Sequence, residues 1–327
     1  MLCAVASPVA ARPPTQRSFP PLLIYLPIAE LPVSMFTILA MGAAVGFISG
    51  LFGVGGGFLM TPLLIFSGIP PAVAVATVTS QVAASSTTGA LTYWRRRAVD
   101  VRLAATLLVG GVVGTFLGVL FFNQMRTVGQ LDLIIQLSYV ALLGAIGLAM
   151  LVESSRAILH ARRNAEVRRR RSRHAWFHGL PWKMRFPTSG LYISVIPVVG
   201  LGVFIGFTGT VLGIGGGFIL VPALIYLFRV PTAVVVGTSL FQILFTMLAA
   251  TMLHALTNQS VDVVLALLLI VGGVMGAQFG ARAGANIRGE HFRFLLAMIV
   301  LAVGVRFAVE LTIQPSEPFS LADERKP

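Results

Sequence analysis

One pattern of apolar segments and glycine motifs occurs twice in this sequence. Residues 46–62 align with residues 206–222 at an offset of 160, and 8 of the 17 positions are identical. Residues 99–118 align with residues 261–280 at an offset of 162, and 12 of the 20 positions are identical. Because glycine, proline and aspartate match in place as well as apolar residues, composition alone does not produce the alignment. The duplication predicts two similar halves.

The apolar segments of both halves are typical of membrane-spanning helices. Apolar residues make up 56% of the 327 residues and charged residues 11%, whereas a soluble domain has about 45–50% and about 25%. This composition excludes a soluble globular enzyme and a disordered chain, and it predicts an all-α polytopic membrane protein. The segments form two sets of five: 35–53, 56–68, 72–94, 101–122 and 131–152, then 191–212, 215–228, 232–256, 261–281 and 292–312.

Segments 56–68 and 215–228 are too short to cross a bilayer, which takes about 20 helical residues. They correspond to each other in the two halves, and each follows a glycine-rich element. We interpret them as broken half-helices or as one arm of a re-entrant hairpin. The predicted organisation is an N-terminal lead-in (1–34), transmembrane repeat 1 (35–152), a basic cytoplasmic linker (153–190), transmembrane repeat 2 (191–312) and a C-terminal tail (313–327).

The 24 basic and 11 acidic residues give a net charge of +13, and their positions predict orientation. Arginines follow segment 72–94 and fill the linker, so both regions are expected in the cytoplasm. The loop 257–260 is uncharged, which predicts an outside position. Residues 282–293 carry three arginines, which predicts an inside position. These assignments agree only if segments 191–212 and 215–228 form a hairpin. The repeats then have inverted topology, as in many secondary transporters, and both termini are expected outside, which on a bacterial inner membrane means the periplasm.

The basic linker 153–190 is expected to contact anionic lipid head groups. A nucleic-acid site is the other reading of such a charge cluster. The linker lacks a recognition motif and interleaved aromatic residues, apart from Trp176 and Phe177, so we expect no nucleic-acid partner. The sequence leaves the oligomeric state open.

The glycine elements carry the first candidate site: Gly55, Gly56 and Gly57 in repeat 1 and Gly215, Gly216 and Gly217 in repeat 2. Three successive glycines break a membrane helix and leave backbone N–H groups free, which is tolerated only beside a cavity or buried in protein. At a helix N-terminus such groups attract anions. Two inverted half-helices meeting near the bilayer midplane would form an anion site without a buried cation. The alternative is close helix packing, which we expect for the Gly110–Gly114–Gly118 spacing.

Neutral polar residues in segments 72–94 and 232–256 extend this candidate site. Threonine and glutamine four residues apart share one helix face, and the pattern occurs in both halves. Such faces suit a small oxyanion, because neutral donors bind the anion and still release it. The alternative role is hydrogen bonding between helices. The candidate residues are Thr77, Ser80 and Gln81 in repeat 1 and Thr238, Ser239 and Gln242 in repeat 2.

Three ionisable residues in or beside the apolar segments draw attention. His254 is a candidate proton-coupling group, since histidine titrates near physiological pH; an interfacial histidine is the alternative. Asp100 and Asp262 occupy equivalent positions just before a segment. Helix N-capping explains both aspartates.

The motifs of both repeats resemble the TauE/SafE sulfite exporter family, also called the toluene-sulfonate uptake permease family. The resemblance rests on residues 46–57, 70–77, 213–218 and 237–240, and it covers nearly all of residues 35–312. It implies an inner-membrane permease for a small anion, with sulfite or another sulfur oxyanion or organosulfonate as the expected substrate. It does not define the substrate, the direction of transport or the coupling ion.

Inverted repeats with paired broken helices predict a secondary transporter that moves its anion by alternating access. An anion channel or passive pore is the alternative, because the same elements could form a filter. We expect no enzyme activity, cofactor or metal site, since the sequence lacks paired carboxylates, His/Glu metal spacing and a serine beside a basic partner. The single cysteine, Cys3, excludes an intrachain disulfide and a thiolate metal site.

Overall fold

The computed structural model describes residues 23–52, 55–161, 182–228, 230–284 and 289–312. Most of the predicted lead-in, residues 162–181 of the linker and the whole predicted tail lie outside these ranges, as do Gly53 and Val54 of the first glycine element. Ten helices lie within the described residues, which confirms the predicted all-α polytopic class. By length and apolar composition, five described stretches could cross a membrane: Val101–Val128, Leu131–Val152, Val195–Leu212, Val234–Asn258 and Val263–Gly280.

The two halves contain the same order of elements. The first half consists of β1 (Leu23–Leu26), β2 (Leu31–Ser34), α1 (Met35–Phe52), α2 (Gly57–Phe66), α3 (Pro71–Arg95), α4 (Val101–Val128) and α5 (Leu131–Ala161). The second consists of β3 (Lys183–Phe186), β4 (Leu191–Ser194), α6 (Val195–Leu212), α7 (Gly217–Tyr226), α8 (Thr232–Leu253), a π-helical turn (His254–Asn258), α9 (Val263–Gly284) and α10 (Gly289–Thr312). The bounds of β1 to α2 and of β3 to α7 differ by the same offset of 160 that aligns the sequences.

The β-hairpins are the elements that the sequence pattern does not predict. Strands β1 and β2 pair antiparallel with Leu23 opposite Ser34, and β3 and β4 pair with Lys183 opposite Ser194. The first hairpin lies in the stretch assigned to the lead-in, and β4 covers residues 191–194, which the hydropathy pattern assigns to an apolar segment. Four-residue strands carry too few alternations to be recognised, and these hairpins depend on contacts with distant residues, described below.

Close helix pairs join the two halves. Helix α1 packs against α9 and, equivalently, α6 packs against α4, while α3 packs against α8 and α5 against α10. Glycines allow the close approach: a Cβ on Gly46 would overlap the backbone of Gly273, and one on Gly114 would overlap the backbone of Val203. The Gly110–Gly114–Gly118 spacing therefore serves helix packing, as expected.

Helix α2 folds back along α1. Gly56, at the start of α2, lies beside Val45 and Ser49 in the second half of α1. Ser67, just past the end of α2, lies 3.9 Å from the sulfur of Met41 in the first half of α1. The pair is therefore an antiparallel hairpin, the geometry of a re-entrant segment.

Helices α3 and α8, which are equivalent in the two halves, run antiparallel. The Thr79 hydroxyl near the start of α3 lies 2.9 Å from the Thr251 hydroxyl near the end of α8. At the other end of the pair, the rings of Trp94 and Phe241 stack with centroids 5.5 Å apart. Equivalent helices that run in opposite directions are what two inverted repeats require.

Candidate functional site

The two glycine elements meet at the centre of the molecule. The rings of Phe58 and Phe218, the second residues of α2 and α7, stack with centroids 4.6 Å apart and planes 8° apart. A Cβ on Gly57 would overlap the carbonyl oxygen of Gly213 in the other half. The structure thus brings the broken helices together across the interface between the halves.

Only glycine fits the backbone of these turns. Gly55, Gly215 and Gly216 have φ values of 76°, 72° and 75°, in the left-handed region that disfavours a Cβ. Neither α2 nor α7 has a side-chain cap at its N-terminus. Because the first N–H groups of a helix have no partner within it, both N-termini present free donors and the positive end of a helix dipole.

Gln81 and Gln242 lie on α3 and α8 at the depth of the glycine turns. Each precedes a residue that contacts these turns: Val82 lies against Gly55 and Gly57 in one half and Gly215 in the other, and Ile243 also lies against Gly215. Both glutamines are fully buried. Neither amide atom of Gln81 has a hydrogen-bond partner, and the Gln242 amide oxygen has none.

Glycine also makes room for these two amides. A Cβ on Gly273 of α9 would lie 2.6 Å from the Gln81 amide nitrogen, and one on Gly111 of α4 would lie 2.8 Å from that of Gln242. The Gln242 amide nitrogen has one long contact, 3.4 Å to the Thr246 hydroxyl. Buried polar groups are normally paired, so the Gln81 amide and the Gln242 amide oxygen are candidate contacts for a polar ligand.

The other predicted polar residues are engaged within the protein. Thr77 and Thr238 are buried, and their hydroxyl oxygens accept the backbone N–H groups of Asp262 and Asp100, both at 3.1 Å. The Ser80 hydroxyl donates to the Thr77 carbonyl at 2.6 Å, and that of Ser239 donates to the carbonyl four residues before it at 2.7 Å. These hydroxyls already have partners, in contrast to the Gln81 amide and the Gln242 amide oxygen.

No cation lies at the centre of the described part of the chain. Among described residues, the only buried side chains with a formal charge at neutral pH are Asp100 and Asp262, and both bind backbone N–H groups at helix N-termini. The described ranges also hold no cluster of three or more His, Cys, Asp or Glu side chains that could bind a metal ion. The donors near the glycine turns are therefore neutral amides, hydroxyls and backbone N–H groups.

Comparison with known proteins identifies the family that has these features. Residues 38–307, well over half of the chain, match the family described as sulfite exporter TauE/SafE. The chain belongs to the TauE/SafE family. This confirms the resemblance noted in the sequence, and the chain is accordingly a membrane transporter of the TauE/SafE type.

Relatives within and beyond bacteria carry related names. The probable membrane transporter protein YjnA of Bacillus subtilis is 28% identical over 273 residues, which cover 83% of this chain and 98% of that protein. A probable membrane transporter protein of Xylella fastidiosa is 29% identical over 282 residues, covering 83% and 94%. Sulfite exporter TauE/SafE family protein 5 of Arabidopsis thaliana is 46% identical over 54 residues, covering 16% and 12%. No solved structure matches the chain.

Three further buried hydroxyls were not among the predicted site residues of this TauE/SafE chain. Thr61 on α2, Ser86 on α3 and Thr115 on α4 are buried, and their hydroxyl oxygens have no partner. Their counterparts in repeat 2 are Val221, Met247 and Ala277. Candidate residues chosen because they occur in both repeats form symmetric sites, and this criterion overlooks polar groups present in one half only.

The structure places His254 away from the glutamines, at the start of the π-helical turn. It is fully buried and lies edge-on against the Phe122 ring, with centroids 4.8 Å apart. Its Nδ1 lies 2.8 Å from the amide nitrogen of Asn258, and its Nε2 lies 3.3 Å from the Thr210 carbonyl oxygen. Since an amide nitrogen can only donate, Nδ1 accepts, and Nε2 carries the proton that points at Thr210.

Proposed function

We propose that this TauE/SafE protein is a secondary transporter that moves a small sulfur-containing anion across the bacterial inner membrane by alternating access. Sulfite is the leading candidate, and other sulfur oxyanions and organosulfonates share its chemistry. The observation that carries the proposal is a pair of buried glutamines beside two helix N-termini that meet across the two halves: both amide atoms of Gln81 and the amide oxygen of Gln242 have no hydrogen-bond partner.

The donor set at this depth suits reversible binding of an anion. The Gln81 amide offers two N–H donors, and the N-termini of α2 and α7 add free backbone N–H groups and the positive ends of their dipoles. A hydrogen bond to a charged group is worth about 1.5–3 kcal/mol. Several such bonds hold an oxyanion, and the absence of a buried cation among the described residues favours its release.

The proposed movement follows from the duplicated architecture. The antiparallel α3 and α8 and the α1–α2 hairpin support two repeats of inverted topology around one central site. In this arrangement both termini lie in the periplasm, and the linker 153–190 lies in the cytoplasm near anionic lipid head groups. Rocking of one repeat against the other would expose the glutamines to each side in turn.

The test is anion binding and flux with the purified protein. Sulfite and an alkylsulfonate should stabilise the wild type in a thermal-shift assay, and both should enter proteoliposomes with saturable kinetics and accelerated exchange. Saturation and exchange also distinguish a transporter from the alternative, an anion channel.

The matched variants are Gln81→Ala and Gln242→Ala, with Gln278→Ala as the control because Gln278 is exposed on α9. Loss of one hydrogen bond to a charged ligand should weaken sulfite binding by about 10- to 100-fold in each site variant, and the control should bind like the wild type. Unchanged binding in both site variants would refute the site. Free passage of chloride without flux of any sulfur anion would refute the function.

A further inference from the structure

Two buried aspartates each tie the β-hairpin of one half to the other half. Asp100 and Asp262 are fully buried and hold equivalent positions before α4 and α9. Asp100 belongs to the first half and binds the β3–β4 hairpin of the second, and Asp262 belongs to the second half and binds the β1–β2 hairpin of the first. We name the contacts the Asp100 latch (Asp100, Ser189, Thr238) and the Asp262 latch (Asp262, Ile28, Thr77).

The Asp100 latch joins three elements through one residue. One carboxylate oxygen accepts the Leu103 backbone N–H at 3.2 Å and caps α4. The other oxygen accepts the backbone N–H and the hydroxyl of Ser189, both at 2.8 Å. The backbone N–H of Asp100 itself donates to the Thr238 hydroxyl on α8 at 3.1 Å.

The Asp262 latch has the same construction. One carboxylate oxygen accepts the backbone N–H groups of Val264 and Leu265, both at 3.0 Å, and caps α9. The other oxygen accepts the Ile28 backbone N–H in the turn of the first hairpin at 3.0 Å. The backbone N–H of Asp262 donates to the Thr77 hydroxyl on α3 at 3.1 Å.

Capping alone does not account for these aspartates. A helix cap needs one side-chain oxygen, and asparagine, serine or threonine supplies it without a buried charge. In both latches the second oxygen receives a hairpin turn instead, and a buried apolar residue, Leu26 or Phe186, ends the preceding strand and fixes the hairpin in place. Because both halves share this arrangement, the second carboxylate oxygen of each aspartate serves to hold the hairpin against the other half.

The latches lie at opposite ends of the α3–α8 pair. Thr77 lies near the start of α3, whereas Asp100 follows the end of α3 and contacts Thr238 near the start of the antiparallel α8. At a rise of about 1.5 Å per residue, the roughly 18 residues from Thr77 to Arg95 span about 27 Å. The glycine turns and Val82 lie between the two ends.

We infer that the two hairpins are gates on opposite faces of the transporter and that Asp100 and Asp262 hold them shut. This inference rests on the proposed function, since gates on both faces are what alternating access needs. Release of one latch frees one hairpin and opens the path from that face to the central glycines. Because each latch joins the two halves, rocking of one half against the other strains or relieves it directly.

The test uses an asparagine at each latch, because Asn keeps one oxygen for the helix cap and replaces the second acceptor with an amide donor. Asp262→Asn opens one latch. Asp100→Asn is combined with Ser189→Ala, since the serine hydroxyl could otherwise accept from the new amide. Asp132→Asn is the matched control, because Asp132 is exposed in the first turn of α5. The readout is labelling of Val82→Cys by a membrane-impermeant maleimide in a Cys3→Ser background, which has no other cysteine.

Asp262→Asn should increase the labelling rate about tenfold from one face of oriented vesicles, the population shift expected for one lost hydrogen bond to a charge. The Asp100→Asn, Ser189→Ala variant loses two such bonds and should increase it at least as much. The two variants should act from opposite faces, and the control should match the parent. Unchanged labelling in both, or an increase from the same face in both, would overturn the inference. If the asparagine variants aggregate, Asp262→Ser and the double variant Asp100→Ser, Ser189→Ala decide by the same criterion, since serine keeps one capping oxygen and has no second acceptor for the hairpin turn. Labelling needs no substrate, so this result is independent of the sulfite flux that tests the transport proposal.

Discussion

At the scale of single residues, the proposed chemistry of the central site depends on the buried amides of Gln81 and Gln242, of which the Gln81 amide and the Gln242 amide oxygen have no partner. An amide offers donors without a formal charge, so it binds an anion and avoids the desolvation of a buried cation. Duplication in the sequence singles out these glutamines, and it singles out Thr77 and Thr238 by the same argument. The structure distinguishes the two pairs, because both threonine hydroxyls accept a backbone N–H from an aspartate in a distant segment. The sequence of one helix does not show this contact.

His254 carries a prediction at the same scale. If it couples protons to transport, it must exchange the proton that Nε2 directs at the Thr210 carbonyl. His254→Gln should then reduce sulfite uptake driven by a pH gradient, by about 10-fold or more if the proton transfer is essential, and leave sulfite exchange at equal pH unchanged. The measurement is flux into proteoliposomes with and without the gradient. Equal loss in both assays would instead assign His254 a structural role beside Phe122.

At the scale of elements, the helices were predictable and the hairpins were not. Long apolar segments bounded by glycine, proline and charge locate a helix, as for the segment 35–53 and helix α1 (Met35–Phe52). Their ends are less exact, since α4 extends six residues beyond the segment 101–122 and α5 nine residues beyond the segment 131–152, into the predicted linker. Strands of four residues do not form a stable sheet alone. In these hairpins the turns donate hydrogen bonds to Asp100 and Asp262, far away in the sequence, and Leu26 and Phe186 are buried.

Helix α6 offers a prediction about packing between elements. A Cβ on Gly206 would overlap the backbone of Gly111 in α4, whereas a Cβ on Gly200 would meet nothing within 4 Å. Gly206→Ala should therefore lower the free energy of unfolding by about 1–3 kcal/mol through overpacking, with a lower melting temperature in detergent. Gly200→Ala is the matched control, and its helix propensity should leave stability unchanged or increase it by up to about 1 kcal/mol. A similar melting temperature for both variants would contradict the close backbone contact between α4 and α6.

At the scale of the whole molecule, duplication and contact pattern describe the same relationship between the halves. Helix α1 packs on α9 as α6 packs on α4, and both latches reach from one half to the hairpin of the other. Each half buries these surfaces against the other half. The asymmetric features, the π-helical turn and the buried hydroxyls of Ser86 and Thr115, are superimposed on this plan. A search based on symmetry cannot find them.

The orientation of this architecture in the membrane yields the last prediction. The positive-inside rule predicts that the arginine-bearing regions beside α3 and in the linker face the cytoplasm. With a re-entrant α1–α2 pair, both termini are then predicted to lie outside. Alkaline phosphatase fused to either terminus should be active, because that enzyme folds only in the periplasm, whereas green fluorescent protein inserted within residues 162–181 should fluoresce, because it folds in the cytoplasm. The reciprocal fusions serve as controls and should be inactive and dark. Termini found on opposite sides would contradict this prediction, because α1 and α2 together would then cross the membrane in one half only. The two repeats would not be inverted as complete units, even though α3 and α8 run antiparallel.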